Sequence, residues 1–195
     1  WMGNAPSVER VRADWNPVRA IYAGDSVSRA DFDVAEAADA YWTGRWGYLS
    51  RAIFHGGLGA WFGGVLEVGT GGFPLFRSSA RLDLWDRGDT THVHDARLAP
   101  WPFADDAFGA VFALQVFEHL GPDFGVPFRE ALRVGRRLIL SVPYRWDCPD
   151  DPLHHGLDED TLAEWFGQVP LRLELLDADT VPRLIAVYER QAQDA

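Results

Sequence analysis

The stretch Val65-Leu66-Glu67-Val68-Gly69-Thr70-Gly71 brings an acid and a glycine turn to the end of a short apolar run. Glycine permits positive φ and close backbone approach, so such a loop can fold against a bound ligand. Two further short strands close on acids of their own: Arg81-Leu82-Asp83-Leu84 ends near Asp83, and Thr91-His92-Val93-His94-Asp95-Ala96 ends at Asp95. Loops at the carboxyl ends of parallel strands are where open α/β sheets bind nucleotides. A small cofactor with a nucleoside portion is the first expectation.

The glycine pattern narrows the choice. A dinucleotide fingerprint needs Gly-x-Gly-x-x-Gly, whose last glycine lets a helix pack tightly behind the pyrophosphate. Gly69 and Gly71 fit, but Gly72-Phe73-Pro74 follow, and no Gly-Lys-Ser/Thr supplies a P-loop lysine. His92 and His94 alternate on one strand face and raise a metal-hydrolase alternative, although Ala96 stands where that ligand pattern needs an acid and no compact Cys/His set appears.

Further on, Pro100-Trp101-Pro102-Phe103-Ala104-Asp105-Asp106-Ala107-Phe108 leads through the apolar run Ala110–Leu114 into Gln115-Val116-Phe117-Glu118-His119-Leu120. Together with the glycine loop and the strand-tip acids, this series resembles the class I S-adenosylmethionine-dependent methyltransferases of the small methyltransferase-domain type. The resemblance covers roughly residues 40–190. It departs from the family at Phe73, where a third glycine is usual, and at Gly109, where an aspartate is usual. About ten residues separate Gly71 from the next strand, and a crossover helix needs about a dozen or more. A shortened first helix is expected, with Pro74 in a turn or single helical turn.

The resemblance implies S-adenosylmethionine as cofactor and S-adenosylhomocysteine as product. Glu67 and the Gly69-Thr70-Gly71 backbone would meet the amino-acid end. Asp83 would accept the ribose hydroxyls with Leu84 or Trp85 packing beneath, Asp95 and the Ala96 N–H would meet the adenine, and Gln115 would lie beside the methionyl part. The loop after the fifth strand overhangs the acceptor pocket in this fold, which makes His154 and His155 candidate general bases. Histidine has the unperturbed pKa for that task. His119 is a lesser candidate, more suited to fixing its own loop. Tyr41, Trp42, Trp46 and Tyr48, with Tyr144 and Trp146, would wall an acceptor pocket or serve as core; Arg45 would pair with the cofactor carboxylate or be solvated. Two alternatives stay open: a non-catalytic cofactor-binding relative, prompted by Phe73 and the short loop, and an NAD-dependent oxidoreductase.

The elements that must place these residues follow from periodicity. Ser28 is a plausible N-cap for a helix to about Ala40. Apolar residues near helical spacing over 45–62 give a second helix, which Gly56-Gly57 should end or break. Strands fall near 64–69, 81–84, 91–95 and 109–114, a helix at 122–134, and a buried strand at 137–143. A helix capped by Asp158 and a terminal antiparallel hairpin over 171–176 and 183–189 complete the chain. The expected fold is α/β: a Rossmann-like three-layer sandwich on a mostly parallel seven-stranded sheet with a C-terminal antiparallel hairpin. Residues 1–62 would form an N-terminal strap and helices capping the site, and 63–195 the cofactor-binding core, within one compact domain.

Bulk properties fit that reading. A length of 195 residues suits one domain. Hydrophobic residues make up 47% of the chain, and no apolar run is long enough to expect a membrane span. The formal charge of −11 argues against nucleic acid, which is bound largely through Lys and Arg; a small-molecule substrate is the default, and the oligomeric state is not legible. Cys148 is the sole cysteine, and the opening Trp1-Met2-Gly3-Asn4 lacks the basic and apolar regions of a secretory signal. A cytoplasmic protein is expected.

Overall fold

The computed structural model describes residues 25–60, 63–120, 124–146, 156–177 and 181–191, together with the backbone of 9–11. Its strands are β1 (Glu9–Val11), β2 (Val65–Val68), β3 (Ala80–Asp83), β4 (His92–Val93), β5 (Phe108–Leu114), β6 (Gly135–Pro143), β7 (Arg172–Leu176) and β8 (Arg183–Glu189). The helices are α1 (Arg29–Ala38), α2 (Trp46–Ala60), α3 (Gly125–Val134) and α4 (Glu159–Phe166). One sheet contains all eight strands in the order β1-β7-β8-β6-β5-β2-β3-β4. Only β8 runs against its neighbours, pairing antiparallel with β6 and β7. The expected α/β sandwich with a C-terminal antiparallel hairpin is therefore present. The sheet has one strand more than the seven expected, because β1 adds itself parallel to β7.

Strand β5 shows how one sheet buries two faces. Val111 and Ala113 pack with the α3 and α4 layer, whereas Ala110 and Phe112 pack on the other side with Tyr48, Leu49 and Ile53 of α2. Successive side chains point to opposite faces of a strand, so a continuous apolar run is needed where helices cover both. Ile139 on β6 and Ile185 and Val187 on β8 extend the α2 side; Leu138, Leu140 and Val142 extend the other. Helix α2, from the segment expected to cap the site, is thus also a layer of the sandwich.

The sequence expectation that Gly56-Gly57 would interrupt α2 is corrected. The helix continues through both glycines to Ala60. A Cβ at Gly56 would sit 1.8 Å from the ring Cζ of Phe112, so the helix lies directly on that ring. Glycine costs a helix about 1 kcal/mol relative to alanine, and close packing on the sheet outweighs it here.

No helix of any length connects β2 to β3, and Pro74 lies outside any helical turn. Residues 75–78 instead form a ledge against the segment that enters α1. Ser26 bridges to Phe76, Val27 N–H donates to the Leu75 carbonyl at 2.8 Å, and Arg77 N–H donates to that of Asp25 at 2.9 Å. Ser28 then caps α1 in a reciprocal capping box with Asp31, as its sequence position anticipates. Leu75 and Phe76 are buried, and Phe76 packs on Phe112 with 4.9 Å between centroids. This ledge occupies space that a crossover helix would fill.

Helix α2 is also tied to the hairpin by a buried ion cluster. Glu174 of β7 has no exposed surface. It accepts from Arg51 Nε at 2.5 Å and Nη2 at 2.6 Å, and lies 2.8 Å from His55 Nε2. Burial alone would raise the Glu174 pKa, but the bonds from Arg51 and His55 outweigh it and hold the value at about 2, from an ordinary 4.5. The folded value is depressed, so this contribution to stability is fully present above pH 4.5 and is lost as the pH falls toward 2. Replacing Glu174 by alanine takes the carboxylate away from the buried Arg51 guanidinium and should cost about 3–5 kcal/mol. Urea denaturation at pH 7 measures the loss, and the variant should show a weaker acid-destabilisation limb than the wild type.

Candidate functional site

The strand order reverses direction between β2 and β5: β3 and β4 lie beyond β2, while β6 lies beyond β5. Crevices at the carboxyl ends of strands beside such a switch point are the usual ligand sites of open α/β sheets. A cavity of about 430 Å³ opens there, within the size range of small-molecule pockets, about 300–1,000 Å³.

Its first wall is the loop after β2. Gly69, Gly71 and Gly72 have φ of 67°, 64° and 88°, in the left-handed region that favours glycine. A Cβ on Gly69 would stand 2.7 Å from Val116 Cγ2, so the loop touches the turn after β5 across the crevice. Thr70 closes a tight turn, its carbonyl accepting from Phe73 N–H at 3.1 Å.

Glu67 lines the cavity but is only 4% exposed. One carboxylate oxygen accepts from Leu75 N–H at 2.7 Å; the other accepts from Phe76 N–H at 3.0 Å and Ser79 Oγ at 2.6 Å. Burial pushes its pKa upward, opposed by these three donors and by Arg81. The carboxylate thus holds the ledge that stands in for a crossover helix.

The second wall carries Asp83 at the tip of β3. Its Oδ1 accepts from Trp85 N–H at 3.1 Å and its Oδ2 from Arg87 Nε at 3.1 Å. Leu84 and Trp85, both well exposed, continue the wall toward solvent. The third wall is Asp95-Ala96-Arg97. Arg97 grips Asp95 through Nε at 2.9 Å and Nη2 at 2.7 Å, and this bonding holds the carboxyl below its ordinary range against a smaller opposing effect of burial. Buried Trp101 anchors this segment from behind: its indole N–H donates to the Ala96 carbonyl at 3.0 Å, and its backbone N–H donates to Glu130 Oε2 at 2.6 Å. Arg133 joins Glu130 to Asp105, so the Pro-Trp-Pro-Phe-Ala-Asp motif serves as a brace.

The fourth wall follows β5. Gln115 has φ 58°, its N–H donates to the Ser141 carbonyl at 2.8 Å, and its amide reaches Ser141 Oγ at 3.1 Å. Val116, His119 and Leu120 complete that side. Tyr41, Trp42, Tyr48 and Leu49 close the cavity on the α2 side, where Trp42 packs against Phe73 at 5.1 Å and Phe32 at 6.3 Å between centroids.

The structure therefore gathers Glu67, Gly69, Thr70, Gly71, Asp83, Leu84, Asp95, Ala96, Gln115, Tyr41 and Trp42 around one cavity. It leaves out three aromatic residues expected beside it. Trp46 packs on Phe32 at 5.3 Å. Tyr144 directs its hydroxyl to Glu159 at 3.5 Å. Trp146 is 38% exposed. His154, His155 and Cys148 lie outside the described residues. Arg45 donates from Nε to the Tyr41 carbonyl and from Nη1 to the Tyr48 hydroxyl at 3.4 Å. His92 and His94 take separate partners: His92 packs on Phe103 at 4.5 Å and meets Thr91, whereas His94 Nε2 lies 2.9 Å from the Leu98 carbonyl. Among the described residues no three His, Cys, Asp or Glu side chains are placed to share a metal ion.

Sequence reasoning missed Arg87 and Arg97, which pair with the strand-tip acids Asp83 and Asp95. The signal was available in the local spacings Asp83-x-x-x-Arg87 and Asp95-x-Arg97. Trp101 was quoted as part of a motif, but its bond to Ala96 had no local signature.

No family model matches the chain, and no curated protein matches it. Among solved structures, the chain is similar to the N-terminal domain of EvdMO1 with S-adenosylhomocysteine and D-fucose: 14% identity, 73% of this chain and 82% of that one, TM-score 0.47. It is similar to the [4+2]-cyclase SpnF at 15% identity over 71% and 80%, TM-score 0.48, and to a SAM-dependent methyltransferase from Aquifex aeolicus at 13% over 63% and 80%, TM-score 0.41. These likenesses are distant, and the site stands on its own residues.

Replacing Glu67 by alanine orphans the two buried backbone donors of Leu75 and Phe76, and an unsatisfied buried donor costs about 1–3 kcal/mol. A stability loss of at least about 2 kcal/mol is expected in chemical denaturation, with amide hydrogen exchange at Leu75 and Phe76 accelerated more than at β6.

Proposed function

We propose that the chain is an S-adenosylmethionine-dependent methyltransferase acting on a small-molecule acceptor in the cytoplasm. The observation that carries this reading is the convergence of Asp83 and Asp95, from adjacent strand tips, with the left-handed glycine loop on one cavity. Bound there, the cofactor would supply a methyl group on a sulfonium sulfur, with a neutral thioether as leaving group. The chain's own residues would do the holding. Asp83 would accept from the ribose diol: each carboxylate oxygen has two lone pairs, and Arg87 is exposed enough to yield its place. Asp95, kept ionised by Arg97, would accept from the adenine amine. The Gly69–Gly71 backbone and the turn at Gln115 would flank the methionyl end, while Glu67 would position the loop. Orientation of this kind is worth up to roughly 7–11 kcal/mol of barrier.

Aromatic Tyr41 and Trp42 at the α2 side favour an apolar or aromatic acceptor, and the net charge of −11 disfavours nucleic acid. No helix among the described residues is long and apolar enough to cross a membrane. An NAD-dependent oxidoreductase is disfavoured because no helix begins at the glycine loop, so no helix N-terminus faces a pyrophosphate there. A non-catalytic cofactor-binding relative is the second reading, favoured by Phe73, which fills the loop against Trp42 and Phe32.

S-adenosylhomocysteine at a hundred times its dissociation constant should stabilise the fold by about 2.7 kcal/mol. For a chain of this size each kcal/mol moves the melting temperature by about 2–4 °C, so a rise of several degrees is expected. Asp83→Ala should abolish most of that rise. No rise in the wild type overturns both readings; binding without turnover of any acceptor favours the second.

A further inference from the structure

With the tips of β3 and β4 given to a nucleoside, an acceptor is left the side of the cavity bounded by Tyr41, Trp42 and Tyr48 and by the turn after β5. That turn is a single 3₁₀ turn, Phe117–His119. His119 N–H donates to the Val116 carbonyl at 3.0 Å, and Leu120 N–H to that of Phe117 at 3.2 Å. With about three residues per turn, side chains three apart stack on one face. Val116 and His119 therefore share a face, while Phe117 and Glu118 turn inward and are buried. Val116 is the residue that the glycine loop touches across the crevice. His119 accordingly stands on the crevice side, where it lines the cavity and is open to solvent. Phe117 pins the turn from behind, edge-on to the Phe166 ring at 5.5 Å between centroids.

The other carboxylates and the other imidazole of the cavity are placed for different tasks. Glu67 answers three donors of the ledge. Asp83 and Asp95 stand at the strand tips beside Arg87 and Arg97, and on that same side His94 Nε2 lies 2.9 Å from the Leu98 carbonyl. Tyr48, whose pKa burial pushes up to about 12, is a donor. We propose that His119 is the general base for the methyl acceptor, its imidazole bonding the nucleophilic O–H or N–H of that molecule and taking its proton. This rests on the methyltransferase reading. As the acceptor heteroatom bonds to the methyl carbon, the carbon–sulfur bond breaks with its electron pair left on sulfur. The acceptor proton passes to the imidazole, which hands it on to the solvent at the cavity mouth. General-base help of this kind is worth about 10²–10⁴-fold. Sequence alone ranks His119 below His154 and His155; its place on the turn is what raises it.

The test uses a panel of acceptors with labelled S-adenosylmethionine at pH 8: phenols and catechols that keep their proton at that pH, and nitrophenols already ionised there. His119→Gln should keep the melting rise given by S-adenosylhomocysteine and lose at least about a hundredfold in turnover of the protonated acceptors. Its loss on the ionised nitrophenols should be far smaller, because no proton has to be removed from them. Added imidazole should restore part of the lost turnover to His119→Ala. A second readout needs no turnover and no stable variant: the His119 imidazole NMR signal of the wild type should move when catechol is added to the S-adenosylhomocysteine complex. Undiminished turnover of protonated phenols by His119→Gln overturns the proposal. So does an equal loss on both acceptor classes, which marks a structural role, and so does an imidazole signal that stays in place. Wild type that binds S-adenosylhomocysteine yet methylates none of the panel also overturns it while leaving the cofactor reading standing. Absence of ligand binding by wild type overturns that reading itself.

Discussion

The grip of the Glu67 carboxylate on the backbone of Leu75 and Phe76 and on the Ser79 hydroxyl sets the shape of the site. A parallel sheet ordinarily carries the chain from one strand to the next over a helix. Here the connection is too short, and its backbone donors would be buried without partners. One acid at the end of β2 answers two of those donors and a hydroxyl. With the ledge held, Val27 and Arg77 can zip the entry of α1 onto it, and Phe32, Trp42 and Phe73 can close into an aromatic cluster over the glycine loop. The cavity wall on that side is therefore made of loop and aromatic rings.

Charge is organised in two ways in this lysine-free chain. Outside the cavity lining, Arg51, His55 and Glu174 form a buried cluster that fixes α2 to the hairpin. Removing one member of such a set is expensive because the others cannot return to water. At the cavity, Asp83 and Asp95 each hold an arginine that is substantially exposed. Asp83 is itself buried, but both arginines lie partly in solvent, so a ligand that offers better donors can displace Arg87 or share Asp95. The same kind of pairing that is structural in the buried cluster leaves the strand-tip acids with partly exposed partners at the cavity.

Much of this was legible in the residues, and the failures have physical causes. The continuous apolar runs of β5 and β6, the Ser28 cap, the short link after β2 and the terminal hairpin all announce themselves through local pattern. The acids at 67, 83 and 95 were recognisable as strand-tip groups lining one crevice. Three things were not legible because they depend on distant partners. Helix α2 passes through Gly56 only because Phe112, on a strand far along the chain, needs the space. Glu67 turns inward because the ledge it holds exists only once Ser26 and Phe76 pair. Trp46 and Tyr144 share the aromatic character of Trp42 and Tyr41, and only the packing of Phe32 and Glu159 decides that they lie outside the cavity wall. Strand β1 pairs with β7 across nearly the whole chain, and its three residues carry no signal strong enough to predict that.

The most direct test is a crystal structure of the protein grown with S-adenosylhomocysteine. The account predicts the ribose hydroxyls within hydrogen-bond distance of Asp83, with Arg87 moved aside, the adenine amine at Asp95, and Glu67 still bonded to Leu75 and Phe76. A ligand bound elsewhere, or bound in the crevice with Arg87 still on Asp83 and neither strand-tip acid touching it, would contradict it.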